Sequence, residues 1–212
     1  MISSVKAFIL AAGLAAAVAP VALAADRVSL GFDIRKEGES IGKEQVRIAR
    51  ADDGTAVVDV QTKTRAKVLF LEFRYDHSRR EEWRNGAMVH MVADTDDDGS
   101  KFHLEAERSA GGWNFSVNGQ ASERPGDLLP LTLWGRSILE KSELFSIIDA
   151  KPYKVKVEAL GSEQVSVGGQ MVTAEHFRMS GGVERDLWYG SDGFLLRATF
   201  QRSGYPIEIV RE

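Results

Sequence analysis

The stretch Arg27-Val28-Ser29-Leu30-Gly31-Phe32-Asp33-Ile34-Arg35 puts Val28, Leu30, Phe32 and Ile34 on one parity and Arg27, Ser29, Asp33 and Arg35 on the other. Successive side chains of a strand point to opposite faces, so such a run buries one face and wets the other. The same reading extends along the chain. Ala56, Val58, Val60 and Thr62 alternate with Asp59, Gln61 and Lys63. Phe102, Leu104 and Ala106 alternate with His103, Glu105 and Glu107, and Trp113, Phe115 and Val117 with Asn114, Ser116 and Asn118. Tyr153, Val155, Val157 and Ala159 face Lys154, Lys156 and Glu158, and Phe194, Leu196, Ala198 and Phe200 face Arg197, Thr199 and Gln201.

Between these runs stand residue pairs that tolerate positive φ: Glu37-Gly38, Asp53-Gly54, Asn85-Gly86, Asp98-Gly99, Asn118-Gly119, Gly168-Gly169, Gly181-Gly182 and Asp192-Gly193. They mark hairpins, and their regular spacing predicts sequential up-and-down pairing of about a dozen short strands. A sheet of that width curls, and one dry face on a curled sheet gives a barrel or half-barrel. The expected fold is therefore all-β, an antiparallel half-barrel or open barrel, with residues 25–212 as a single domain.

One segment departs from the pattern. Between Pro125 and Ala150 the alternation is lost, and Leu128, Leu129, Leu131, Leu133, Trp134, Ile138, Leu139, Leu144, Phe145, Ile147 and Ile148 crowd together. Ser137 to Asp149 reads as a helix stopped by Pro152. A loop does not expose that much apolar surface, so the segment is expected to lie across the concave side of the sheet.

The first residues read as an export leader. Lys6 precedes an apolar run, Ala7 to Leu23, and Ala22-Leu23-Ala24 matches the small-x-small rule, which puts cleavage after Ala24. Removing it with its one Lys takes the net charge from −4 to −5. No later run is long and apolar enough to span a membrane. The chain has no cysteine, so it has no disulfide, no thiol chemistry and no lipid-bearing Cys at the cut. These features predict a soluble periplasmic product. The mild acidity argues against nucleic-acid binding. The one basic cluster, Arg74, Arg79, Arg80 and Arg84, is interleaved with Asp76, Glu81 and Glu82 and reads as a solvated strand face.

Three motifs resemble chemistry but sit in strand context. Asp94, Asp96, Asp98, Gly99 and Glu105 fit the calcium-loop spacing, yet that loop needs a helix on each side, so an acidic hairpin turn is expected. Gly38-Glu39-Ser40-Ile41-Gly42 matches the G-x-S-x-G elbow, and Ser40 with Lys43 matches S-x-x-K. Both need a following helix, and residues 43–48 read as a strand. His77, His90, His103 and His176 form no metal-type pair, and His176 beside Glu175 reads as a cross-strand partner. No nucleophile, base and orienter can be named together. No enzyme, metal or cofactor is expected.

The tryptophans are the largest apolar groups. Trp113 and Trp188 read as core residues lining the barrel, whereas Trp134 lies in the irregular segment. With Leu133 and Phe145 beside it, Trp134 forms the candidate ligand contact, completed by Trp113 and Trp188 from the strands.

The Gly38–Gly42 hairpin, Glu82-Trp83-Arg84-Asn85-Gly86, Asp94 through Gly99, the Trp134 segment and Asp186-Leu187-Trp188-Tyr189 with Asp192-Gly193 occur in one order. Together they resemble an uncharacterised family of exported proteobacterial proteins, a domain of unknown function. That family is distantly similar to lipoprotein-localisation carriers, whose curved half-barrels are covered by helices and hold acyl chains. The resemblance implies a binding module for a lipid or other apolar envelope molecule and supplies no catalytic residues. The alternative is a structural or interaction protein of the envelope, its barrel filled by its own side chains.

The acidic turn yields a first prediction. A ligand that binds only the folded state stabilises it by RT ln(1+[L]/Kd), so millimolar calcium should leave the melting temperature unchanged. A rise of several degrees, abolished by Asp96→Ala, would make the turn a calcium site.

Overall fold

A computed structural model describes residues 26–68 and 71–212. The leader expected at residues 1–24 lies outside the described residues. The described chain forms one sheet of fifteen strands. In chain order they are β1 (Asp26–Lys36), β2 (Glu39–Arg50), β3 (Thr55–Val68), β4 (Leu71–Arg84), β5 (Ala87–Asp97), β6 (Ser100–Ser109), β7 (Gly112–Val117), β8 (Gln120–Pro125), β9 (Leu129–Pro130), β10 (Glu143–Phe145), β11 (Pro152–Val167), β12 (Gln170–Gly181), β13 (Arg185–Tyr189), β14 (Leu195–Arg202) and β15 (Tyr205–Arg211). Neighbours in sequence are neighbours in the sheet, and β1 pairs with β15 in the middle of it. The two edges are therefore β8 and β9, consecutive in the chain and separated only by Gly126-Asp127-Leu128. The all-β, open-barrel reading holds. Pairing is antiparallel except between β9 and β10, which run parallel.

Turn chemistry sets the register. At Glu37-Gly38, Asn85-Gly86, Asp98-Gly99, Asn118-Gly119 and Gly168-Gly169 both residues have positive φ, the backbone of the tight hairpin turn that matches strand twist. Ser203-Gly204 does the same between β14 and β15, a turn the sequence reading missed. The G-x-S-x-G resemblance dissolves here. Gly38 serves the turn, and Gly42 is small because a Cβ there would stand 2.1 Å from the Lys63 carbonyl oxygen.

The expected helix over Ser137–Asp149 is not formed. A five-residue 3₁₀ turn, Arg136–Glu140, is followed by extended β10. No side chain caps that turn, and the backbone beyond it is claimed by other strands. Leu131 N–H donates to the Phe145 carbonyl and Val155 N–H to the Ser142 carbonyl. Leu144 and Phe145, adjacent and thus on opposite faces, are both fully buried. A strand laid inside the curl has no wet side, so its apolar run carries no period.

The main core lies between the concave face and this segment. Trp113, Phe115 and Phe145 pack with ring centroids 5.0–6.3 Å apart, and Leu128, Ile138 and Leu144 are buried around them. Each such side chain contributes roughly 1.5–3 kcal/mol when fully buried. A second, smaller core lies apart. The register shifts between Ala159 and Gly161 in β11, and Val165 and Ala174 from the far half of that hairpin cluster with Trp188 and Leu196. A further shift between Trp188 and Tyr189 separates Leu196, in the small core, from Ala198 and Phe200, in the main one.

The basic cluster is not one solvated face. Arg74, Arg80 and Arg84 are exposed, but Arg79 is buried. The inner parity of β4 reads Tyr75, His77, Arg79, Glu81, Trp83. Arg79 Nε donates to Glu81 Oε1 at 2.7 Å, and the Trp83 and Trp134 indoles both donate to Glu81 Oε2, at 3.1 and 3.0 Å. Arg79 also donates to Thr132 Oγ1 at 2.5 Å. Period two did mark this face, because Leu71, Phe73, Tyr75 and Trp83 share its parity against an all-polar opposite parity; the charged run Arg79 to Glu82 hid the alternation at its centre.

Breaking a buried pair by removing one partner costs about 3–5 kcal/mol. Glu81→Ala should lower unfolding stability by that amount in urea, whereas Glu82→Ala, on the exposed parity, should change it by less than about 0.5 kcal/mol.

Candidate functional site

The aromatic cluster fills only part of the curl. Beside it, between β1–β4, β13–β15 and the covering segment, lies a hollow of about 210 Å³. Ile34, Ile41, Leu131, Leu133, Ile147, Phe200, Ile207 and Ile209 supply its apolar wall. Tyr75, Glu44, Arg79, Arg185 and Arg202 supply the polar part. The turn after β10, Ser146 to Ile148, forms one rim. A second hollow of about 190 Å³ shares Ile41, Thr64, Tyr75, Arg202 and Ile207 with the first. Arg202 stands between them. Its guanidinium lies 4.5 Å from the Tyr75 ring centroid, and its NH2 meets both oxygens of Asp97 at 2.8 Å. This pair ties the β14–β15 hairpin to the end of β5 across the mouth. Each hollow falls below the ~300–1,000 Å³ of typical ligand pockets, and the two joined would reach that range.

The polar groups are strongly conditioned by burial. His77 is pushed down to about 3 by desolvation and by neighbouring Arg79. Arg79 can only donate, so at 3.4 Å it faces an accepting Nε2, and the Nδ1 proton goes to Thr95 Oγ1 at 2.8 Å. Burial raises the Tyr75 phenol to about 12 and holds Tyr189 protonated. The Tyr189 hydroxyl donates to the Leu133 carbonyl at 3.2 Å.

Of the five expected contact residues, Leu133 lines the hollow. Trp134 is half-buried beside it, clamped between Glu81 and the edge of Trp83. Trp113 and Phe145 belong to the aromatic cluster. Trp188 is in the small outer core, stacked on His176 at 4.3 Å and hydrogen-bonded to Glu163. His176 is a cross-strand partner as expected, with Asp186 at 3.0 Å. Sequence reasoning missed Arg185, Arg202, Phe200 and Ile207 as one wall. The available signal was that Arg185, Leu187 and Tyr189 share a parity, a charge in line with core positions.

The motif residues are engaged in strand chemistry. Ser40 Oγ donates to Asp33 Oδ1 at 2.5 Å. Asp96 accepts the Gly99 N–H at 2.9 Å and pairs with Arg74 at 2.5 Å, while Asp94 holds His103 at 2.7 Å. Those contacts with Asp94 and Glu105 raise the His103 pKa. Among the described residues no three His, Asp or Glu side chains converge as a metal site.

The model of a domain of unknown function, DUF6134, matches residues 32–212. The chain belongs to this family. Its fold is similar to that of a beta-barrel-like protein of the domain of unknown function DUF1849 from Brucella abortus. The TM-score is 0.62 at 11% identity, over 90% of this chain and 96% of that one. That similarity establishes the fold. No curated protein matches the sequence. Among the described residues no helix is long and apolar enough to cross a membrane.

The unfolded chain takes up the His77 proton below its ordinary pKa of 6.5, while the folded protein refuses it until about pH 3. Stability from this group is intact above pH 6.5 and is lost as pH falls through that window. Urea unfolding at pH 7 and pH 4.5 should differ by roughly 2–3 kcal/mol from this residue, and His77→Gln should remove that part of the difference.

Proposed function

We propose that this chain is a periplasmic binding module for a lipid or another apolar, amphipathic molecule of the cell envelope. The observation that carries the reading is the unfilled hollow. Leu128, Ile138, Leu144 and Phe145 of the covering segment fill one half of the curl with Trp113 and Phe115, yet beside them aliphatic walls enclose a hollow of about 210 Å³. Apolar lining with a few convergent polar groups is the usual makeup of a small-molecule site. The compartment draws on the sequence of residues 1–24, which reads as an export leader. The reading is one of binding, because Glu44, Arg79 and Arg202 around the hollow are engaged in structural contacts with Thr62, Glu81 and Asp97.

The covering segment is less a swinging lid than a fixed wall. Trp134, Thr132 and Leu128 are bonded to β4 and β7 through Glu81, Arg79 and Trp113. The Trp134 carbonyl accepts the Leu195 N–H. Entry is left to the Ser146–Ile148 rim and to the Arg202 bar. A second reading, a filled structural module that meets other envelope proteins, draws on the solidly packed aromatic half.

Leu133→Trp places a large ring where the hollow lies. It should abolish saturable binding of a fluorescent short-chain fatty acid, shift stability by no more than about 1–3 kcal/mol, and remove any lipid found by mass spectrometry in protein purified without detergent. Absence of saturable binding and of extracted lipid in the wild type would leave the filled module as the better reading.

A further inference from the structure

The charged groups around the hollow are satisfied, with one exception. Glu44 accepts from Thr62 Oγ1 at 2.7 Å. Arg79 is held by Glu81 and Arg202 by Asp97. Arg185, on β13, has no carboxylate within ion-pair distance among the described residues. Its Nε is sealed from solvent with no hydrogen-bond partner. What it touches is the Phe200 ring, whose centroid lies 4.1 Å from the guanidinium carbon. Burial draws its pKa down to about 10, so it remains a cation at neutral pH. Arg185 as a whole is half-buried, so a charge partly withdrawn from water is left without a counter-ion, and an arginine fork is shaped for a planar or tetrahedral oxyanion.

We propose that Arg185 receives the anionic head of a short single-chain amphiphile, a carboxylate or phosphate, whose tail occupies the adjacent hollow. Resting on the reading of that hollow as a ligand site, the proposal adds the chemical class of what enters it. Phe200 holds the guanidinium from one side, and the terminal nitrogens of the fork, on the wall of the hollow, donate to the oxygens of the ligand head. Arg202 adds a second positive charge near the same head. The hollow's size limits the tail, so medium-length chains are preferred over long diacyl lipids.

The test titrates the full chain, by calorimetry, with octanoate, octyl phosphate, octanol, octylamine and, as a head without a tail, acetate. Octanoate or octyl phosphate should bind about tenfold or more tightly than octanol, the difference a charge-assisted hydrogen bond makes. Which of the two is tighter identifies the head, and octylamine and acetate should not bind. Arg185→Leu should erase the preference over octanol and, by removing an unpaired charge, raise the melting temperature of the ligand-free protein. Arg185→Lys keeps the charge without the fork and should give an intermediate affinity, a readout that survives if the leucine variant does not fold. Equal affinity for octanoate and octanol overturns the proposal while leaving the apolar site standing. No binding of any eight-carbon probe overturns both.

Discussion

Glu81 is a carboxylate with no exposed surface, and it accepts hydrogen bonds from Arg79 on its own strand, from Trp83 two residues on, and from Trp134 on the covering segment. An ion removed from water must be paired and fully bonded or it destabilises the fold by several kcal/mol. That demand fixes where the segment lies. Trp134 cannot leave without stripping a buried anion of a donor, and Thr132 cannot leave without stripping Arg79. The segment is thus anchored by polar bonds at its centre and by apolar burial of Leu128, Leu144 and Phe145 around it. A purely greasy filling could slide along the curl. A bonded one has a single position.

From that position the rest of the interior follows. The sheet edges β8 and β9 are consecutive in the chain, so the polypeptide that leaves one edge turns inward and crosses the hollow before reaching β10 and β11. Trp113 bonds the Leu128 carbonyl at this seam, and Asp127 holds Arg108 and Lys141 beside it. The turn inward fills the half of the curl nearest β5–β7. The half bounded by β1, β2 and β13–β15 keeps its apolar walls and receives no side chain large enough to close it. Arg202 and Tyr75 divide what remains into two spaces, held by an ion pair that joins residues 105 positions apart in sequence.

Two interior arginines show how one residue type is used in two ways. Arg79 is enclosed by partners on three sides and serves the fold. Arg185 has an aromatic ring and, among the described residues, no anion within ion-pair distance. Local rules broken without internal compensation are expected where a binding partner supplies the missing interaction. The contrast rests on neighbours brought in from distant strands, Glu81 and Thr132 in one case and Phe200 in the other.

The strands, their dry faces and most of their turns were legible in the sequence, because period two and positive-φ residue pairs are local properties of the backbone. Val28 to Ile34 could be read as a half-buried strand with no knowledge of its neighbours, and so could five of the six turns whose two residues both have positive φ, Ser203-Gly204 being the sixth. Three features were decided by tertiary structure alone. Ser137–Asp149 became a 3₁₀ turn and a short strand because distant backbone groups took its hydrogen bonds. Trp188 left the barrel for a second core because register shifts in β11 and at Trp188/Tyr189 bring Val165, Ala174 and Leu196 to it. His77, Arg79 and Glu81 went inside, polar and charged as they are, on the parity of Tyr75 and Trp83. Whether charged groups can be buried there depends on partners that satisfy them, and those partners, Thr95, Thr132 and Trp134, lie 18 to 53 residues away, where no local pattern can register them.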